Sequence, residues 1–396
     1  TLWMQDLLDT NGLLKGLETL TERFEDTKII AYLATNSTAG NELSLKDLAH
    51  SFAGNWAQDA IKDIRRIPLP QLLQYNLVDC LSTNWVLEKY RPIMVADQQE
   101  ALYEGLMKES LKTIIQIELT GMPLNPEKVA DVRATLEAIV EEQDAILRGS
   151  PTVVIELEQQ LRHEAMVKAN AKLKTKQHPI THFDHITFNP GSGPQLQKLL
   201  YDIMGLPVVD RTKTKLPATG GDTLKKLINH TGDPDYQAIL KALIARADAA
   251  KILSTFIPAF EKAIDKGDGV AWLHGSFNLG GTVSGRLSSS NPNLQNLPSG
   301  STYGKLIKQC FQAPAGWVFA GADFASLEDR INALLTRDPN KLKVYEDGYD
   351  GHCLRTYYYW PHLFPDLEET PEAINTIAET HKEARGKSKG PTFALT

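Results

Sequence analysis

The chain has 396 residues, 42% of them hydrophobic and 23% charged, with a formal net charge of −7. This is a globular composition with apolar material for about two to four domains, and no apolar stretch has the length that crosses a membrane. The acidic total argues against indiscriminate coating of nucleic acid, so any binding groove must come from local clusters of charge.

Cys80, Cys310 and Cys353 lie far apart without metal-ligand spacing and read as free thiols of a reducing compartment. The sequence opens at Thr1 with neither an initiator Met nor a charged-then-apolar targeting segment, which reads as a fragment. Residues 6–53 are helical and loop-rich in pattern, with an apolar Lys28-Ile-Ile-Ala-Tyr-Leu33 and a capping box at Ser44-Leu-Lys-Asp47. After Pro68-Leu-Pro70, the stretch Gln71 to Cys80 predicts a helix with Tyr75 and Asp79 one turn apart on one face. On the residues alone this is an amphipathic helix with a solvated Asp.

Two long periodic segments between Ala101 and Val140 flank Leu119-Thr-Gly-Met-Pro-Leu-Asn-Pro126, where Gly121 and the prolines stop one helix and Asn125 caps the next. A helix from about Pro151 to Lys174 ends in Lys168, Lys172, Lys174 and Lys176 near His178. That cationic end complements a helix dipole as readily as it contacts phosphate. Arg211, Lys213 and Lys215 form a second basic loop before a helix opening near Asp222. Either loop fits phosphate contacts or a solvated surface.

At Val270-Ala-Trp-Leu-His-Gly-Ser-Phe277 the period becomes strand-like, and the loop to Pro298 has too little apolar content for a core. It carries Arg286, Asn293, Gln295 and Asn296, donors and acceptors suited to base edges and sugar oxygens, or to turns that hold a surface loop. Trp317-Val-Phe-Ala-Gly-Ala322 predicts a short buried strand ending on Asp323, and Leu327, Ile331, Leu334 and Leu335 follow at helical spacing. Alone, Asp323 is a helix cap before it is a ligand, with Ser326 and Asp329 a second candidate start. After Pro371 the pattern is helical to the last residue and places Arg385, Lys389 and Phe393 at four-residue steps, with Pro391 out of character.

Taken together these stretches resemble family A DNA polymerases, the class of bacterial DNA polymerase I and several phage replicative enzymes. Gly285-Arg-Leu-Ser-Ser with Pro292-Asn-Leu-Gln-Asn-Leu-Pro298 resembles the family's primer-template loop, Asp323 to Arg330 its motif A, and Arg385-x-x-x-Lys389-x-x-x-Phe393 its motif B. Phe188-Asn-Pro-Gly-Ser-Gly-Pro-Gln-Leu196 resembles the thumb's DNA-binding region, and Tyr75-x-x-x-Asp79 the third motif of the attached 3′–5′ exonuclease.

The resemblance implies an α+β, mostly helical right-hand polymerase divided into the end of an exonuclease-like domain (1–97), a helical thumb (98–265), the first part of the palm (266–340) and part of the fingers (341–396). It implies a two-ion Mg²⁺ site with Asp323 and the Phe324 backbone carbonyl as ligands, and Glu328 beneath the incoming sugar. His352, Arg385, Lys389 and Phe393 fall to the dNTP, and Arg286, Asn293, Gln295, Asn296, Lys213 and Lys215 to primer-template DNA. Tyr75 and Asp79 fall to proofreading, with Asp79 on metal. The likeness is phage-like, with the cytoplasm of a bacterial host as its setting, and adds a remaining carboxyl-terminal polymerase segment and a processivity factor as partners. Motif C and the earlier exonuclease carboxylates have no counterpart in the sequence, so the expectation is a catalytically incomplete interior piece, with a non-catalytic DNA-binding fragment as the alternative.

Overall fold

The computed structural model describes residues 24–35, 42–56, 64–171, 173, 177–267, 269–298 and 303–394. They are mostly helical, with a few short strands. The chain divides into two compact units, Thr1–Trp317 and Val318–Thr396. Lys172, Lys174 and Lys176 of the first basic cluster lie outside the described residues.

In the first unit, α1 (Thr27–Ala34) is capped by the Asp26 side chain, which accepts from Ile29 N. It packs on the long α2 (Leu69–Ala96), which continues through Pro92. Ile29, Ile30 and Leu33 of α1 and Met94 of α2 share a core with Tyr103 and Met107 of the following π-helical turn. Ser44 caps the short helix Leu45–Leu48 as its sequence signature predicts.

Helix α3 (Lys108–Thr120) ends at Gly121, whose φ is +75°. A Cβ there would lie 2.9 Å from the His274 ring and 3.0 Å from the Leu273 carbonyl, so both backbone conformation and space require glycine. The chain then forms β1 (Met122–Leu124) and enters α4 (Pro126–Gly149), where Asn125 accepts from Lys128 N and Pro126 occupies the first turn. The helix expected from about Pro151 is present, π-helical over Thr152–Leu157 and continuing as α5 (Glu158–Asn170). A helix opens at Gly221–Leu227, and α6 (Pro234–Thr255), capped by Asp233, runs against α4.

Two apolar cores follow along that helix pair. Leu147, Leu157, Leu199, Leu200, Leu227 and Leu240 fill one, and Val132, Leu136, Ile252, Phe256, Phe260 and Ile307 fill the other. Each such side chain contributes roughly 1.5–3 kcal/mol on burial.

The first unit's sheet is antiparallel in order β1, β3 (Ala271–Leu273), β2 (Ile264–Asp265), with Met122 opposite Leu273 and Ile264 opposite Trp272. A hairpin pairs β4 (Ser276–Asn278) with β5 (Ser288–Ser290), Phe277 opposite Ser289. The donor-rich loop is therefore partly a strand.

The second unit has α7 (Leu327–Thr336), α8 (Pro339–Glu346), α9 (Gly351–Tyr359) and α10 (Lys382–Ala394). Cys353, Phe364, Ile374 and Ile377 make its core.

Three expectations need correction. Trp317 to Ala322 is exposed coil, with Trp317 66% and Val318 85% accessible, because no strand among the described residues pairs with it. Leu327, Ile331, Leu334 and Leu335 do share α7, but that face is exposed and the helix buries Asp329 and Ala333 instead. The helix after Pro371 is three pieces, Pro371–Asn375, Ile377–Thr380 and α10, the second interruption falling at His381, whose φ and ψ of −132° and 51° are not helical.

Candidate functional site

The second unit brings several of the predicted residues together on the facing helices α9 and α10. An Asp-Gly pair starts α9: Asp350 Oδ1 accepts from His352 N at 2.9 Å and from Cys353 N at 3.0 Å, an N-cap that leaves Oδ2 outward. That second oxygen accepts from Arg385 Nη2 at 2.6 Å. Ser388, fully buried one turn along α10, donates to the His352 carbonyl at 3.1 Å.

Charges respond to this packing. Burial raises the Asp350 carboxyl, but the Arg385 hydrogen bond and the cap bonds outweigh it and hold it below the usual carboxylate range. For Arg385, Asp350 outweighs burial and raises the guanidinium further. His352 is lowered first by burial and then by Arg385; the Asp350 carboxylate opposes this, and Arg355 and Lys389 add to the lowering. Burial and the balance of these charges favour a neutral ring beside the Arg385–Asp350 pair. Cys353, buried beside Arg385, is pushed up to about 11 by burial and is a neutral thiol. Lys389 is exposed, and Phe393 lies in α10 with its side chain outside the described residues.

Asp323 and Phe324 lie in exposed coil, Phe324 76% accessible. Ser326 precedes α7 in the left-handed region, φ 51°, and makes no capping hydrogen bond. Glu328, exposed, is in the first turn.

The next residue, read in the sequence only as part of a helix start with Ser326, has another role. Asp329 is 4% exposed and accepts from Arg355 Nη2 at 2.8 Å, Lys341 Nζ at 3.3 Å and the Tyr345 hydroxyl. Burial pushes its carboxyl up, and those donors more than offset this, leaving it below its ordinary value. Arg330 lies over the Tyr345 ring, 4.4 Å from its centroid. A Cβ on Gly351 would meet Arg355 Nη1 and the Tyr345 hydroxyl at 3.2 Å and Asp329 Oδ2 at 3.5 Å. This carboxylate thus ties the start of α7 to α8 and α9. The one available signal was a carboxylate on the polar side of α7 with Tyr345 and Arg355 downstream.

The first unit holds the other candidates. Arg286 is exposed, and its carbonyl accepts from the Thr282 hydroxyl at 2.7 Å. Tyr32 Oη donates to the Thr282 carbonyl at 2.8 Å, anchoring the same loop. Asn293 caps the short helix Leu294–Asn296 by accepting from Asn296 N, so its side chain is used locally, while Gln295 and Asn296 are exposed. Lys213 and Lys215 lie in an exposed turn, Lys215 at φ 65° and its carbonyl accepting from Arg211 Nη1.

Tyr75 and Asp79 share α2, both half-buried. Asp79 Oδ1 accepts from Trp56 Nε1 at 2.9 Å, and the Lys46 ammonium lies 5.7 Å from the Tyr75 ring centroid. No group of three His, Cys, Asp or Glu side chains among the described residues is arranged to hold a metal ion.

The family model described as DNA polymerase family A matches residues 159–358. The thermostable DNA polymerase I of Thermus aquaticus is 28% identical over 358 residues, 88% of this chain and 36% of that protein. DNA polymerase I of Pseudomonas aeruginosa is 35% identical over 165 residues, 42% of this chain and 17% of the relative. The chain spans about a third of the length of the curated relatives that match most of it. Among solved structures, the POL domain of Pol1 from M. smegmatis in complex with DNA primer-template and dNTP superposes with a TM-score of 0.61 at 22% identity. That likeness covers 93% of this chain and 53% of the other, and it is one of fold.

Proposed function

The chain belongs to DNA polymerase family A, and on that premise we propose that its parent protein carries out template-directed DNA synthesis, transferring a nucleotidyl group from a dNTP to a primer 3′-hydroxyl. The observation that carries the reading is the meeting of His352 and Arg385 on α9 and α10, with Lys389 within electrostatic range of the imidazole. A guanidinium fork and a point-charge ammonium beside a neutral imidazole form an anion site suited to a triphosphate.

In the reaction the primer oxygen attacks the α-phosphorus and pyrophosphate leaves. Arg385, Lys389 and His352 hold the β- and γ-phosphates through that exchange, Glu328 faces the sugar as a gate against a 2′-hydroxyl, and Phe393 stacks by the nucleotide. Arg286, Gln295 and Asn296, with Asn293 shaping their turn, lie against the primer terminus and minor groove, and Lys213 and Lys215 against the duplex backbone.

In this family Mg²⁺ supplies activation of the primer oxygen and neutralisation of the departing pyrophosphate. Asp323 and the Phe324 carbonyl are the donors this chain offers there. One carboxylate falls short of a two-ion set, and no metal-holding cluster occurs among the described residues, so the residues described do not by themselves fit the ions. Asp79, bonded to Trp56, is likewise a single carboxylate at the proposed proofreading site.

The division into exonuclease-like (1–97), thumb (98–265), palm (266–340) and fingers (341–396) segments belongs to the same proposal, as do a phage-type parent, a processivity factor and the cytoplasm of a bacterial host. No helix among the described residues is long and apolar enough to cross a membrane. The exposed Val318, Phe319, Phe324, Leu334 and Leu335 support a further polymerase segment as partner, since apolar patches of this kind mark interaction surfaces. The test supplies Mg²⁺, dNTPs and labelled primer-template to the 396-residue chain, alone and with the remaining carboxyl-terminal part of the parent added. Extension only in the second case is expected, and failure of a folded complement to restore it refutes the polymerase reading.

A further inference from the structure

Asp350 is fixed at three points. Its Oδ1 caps α9 through His352 N and Cys353 N, its own N–H donates to Asn375 Oδ1 at 2.7 Å, and its Oδ2 receives Arg385 Nη2. A carboxylate so held cannot swing away from the guanidinium. Arg385, in contrast, reaches from α10 on a long flexible stem, and α10 also meets α9 at buried Ser388, whose hydroxyl lies 3.1 Å from the His352 carbonyl and 2.9 Å from the Arg385 carbonyl. The cation assigned above to the triphosphate therefore already has an anionic acceptor at charge-assisted distance.

We propose that Asp350 is an internal competitor for the nucleotide's phosphates, a carboxylate latch that keeps Arg385 on α9 until a polyphosphate takes the guanidinium over. This rests on the reading of Arg385 as a phosphate ligand and adds the residue that nucleotide must displace. A simple monoanion exchanges one charge-assisted bond for another and gains nothing. A polyphosphate brings further oxygens to Lys389 and His352, and those extra contacts drive the exchange. The latch thus withholds the guanidinium from chloride and isolated carboxylates while yielding to a ligand that bridges α9 and α10.

Isothermal titration of the 396-residue chain with sodium tripolyphosphate tests this. Asp350→Asn and Asp350→Ser both keep an acceptor at the cap while removing the charge. Each should bind tripolyphosphate about tenfold tighter than the wild type, the value of one charge-assisted bond. The gain should vanish in an Arg385→Ala background. The wild type gives an independent readout without mutation: on saturation with tripolyphosphate, the Asp350 carboxyl, followed by its ¹³C signal, should titrate closer to the ordinary Asp value because its cation has left. Uncharged variants that bind no tighter, a gain that persists without Arg385, or an Asp350 titration unmoved by ligand each overturn the competitor. Absence of tripolyphosphate binding to wild type and variants alike overturns the phosphate reading of the cluster and the latch with it, whereas binding that needs Arg385 but ignores Asp350 overturns the latch alone.

Discussion

Replacing Asp329 with Asn should loosen the second unit where three of its helices meet. The carboxylate is 4% exposed and accepts from Arg355, Lys341 and Tyr345, whereas an amide keeps one acceptor and turns its own N–H groups toward donors. Each lost charge-assisted bond costs about 1.5–3 kcal/mol, and removing one partner of a buried ion pair about 3–5 kcal/mol. Arg355 and Lys341 keep 22% and 24% exposure, so water recovers part of the loss. A net cost of about 3 kcal/mol follows, roughly a hundredfold fall in amide protection. The assay is native-state hydrogen exchange read by mass spectrometry on peptides spanning residues 327–359. The pH dependence has a fixed sign: the folded carboxyl lies below its ordinary value, so its contribution is present above the unfolded pKa and is lost as pH falls through the folded one. Wild-type protection should decay below the ordinary Asp range, and the Asn variant should lack that decay. A loss under about fivefold, or an equal loss in α4 and α6 of the other unit, would refute the anchoring role.

Gly121→Ala should lower stability by about 1–3 kcal/mol in a denaturant titration, since it forces a Cβ into the left-handed region and against His274 and Leu273. On the proposed reading, Asp323→Asn should abolish nucleotide addition in the complemented extension assay while leaving primer-template affinity near normal, and near-normal extension would sink its metal role. Glu328→Ala should admit ribonucleotides more readily and Phe393→Tyr should increase acceptance of chain terminators; unchanged incorporation ratios for both would misplace the sugar pocket. The 396-residue chain itself should bind duplex DNA weakly, with affinity falling as salt rises, because phosphate contacts add up across a surface without exact geometry. Affinity indifferent to salt would remove Lys213, Lys215 and Arg286 from that role.

Helices were legible where a cap coincided with a period. Asn125-Pro126 opens α4 and Ser44 caps Leu45–Leu48 because each rule is local and needs only neighbouring residues. β1 was not legible: its three residues gain strand character only by pairing with β3, some 150 positions away. Ser276 and Phe277 of β4 end the stretch read as strand-like, whereas its partner Ser288–Ser290 was hidden inside a segment whose polar composition reads as loop. In the site, four-residue spacing put Arg385 and Lys389 on one helix, but spacing carries no information about Asp350, which approaches from α9.

The segment from Trp317 to Leu335 shows why the remainder failed. Periodicity reports that one face of α7 is apolar, and burying that face is ordinarily the cheaper arrangement. Whether it is buried depends on what stands opposite, and here Lys341, Tyr345 and Arg355 stand opposite the acidic side. Three donors turn Asp329, unlike its exposed neighbour Glu328, into a buried anchor, because an Asp so satisfied no longer carries the cost of an unpaired buried charge. The leucines face outward, and Trp317 to Ala322, which pairs with no strand among the described residues, is coil. The signal for burial at α7 was therefore not in α7 at all but in the donors of α8 and α9, which is also where Gly351 leaves room for Asp329, Tyr345 and Arg355 to meet.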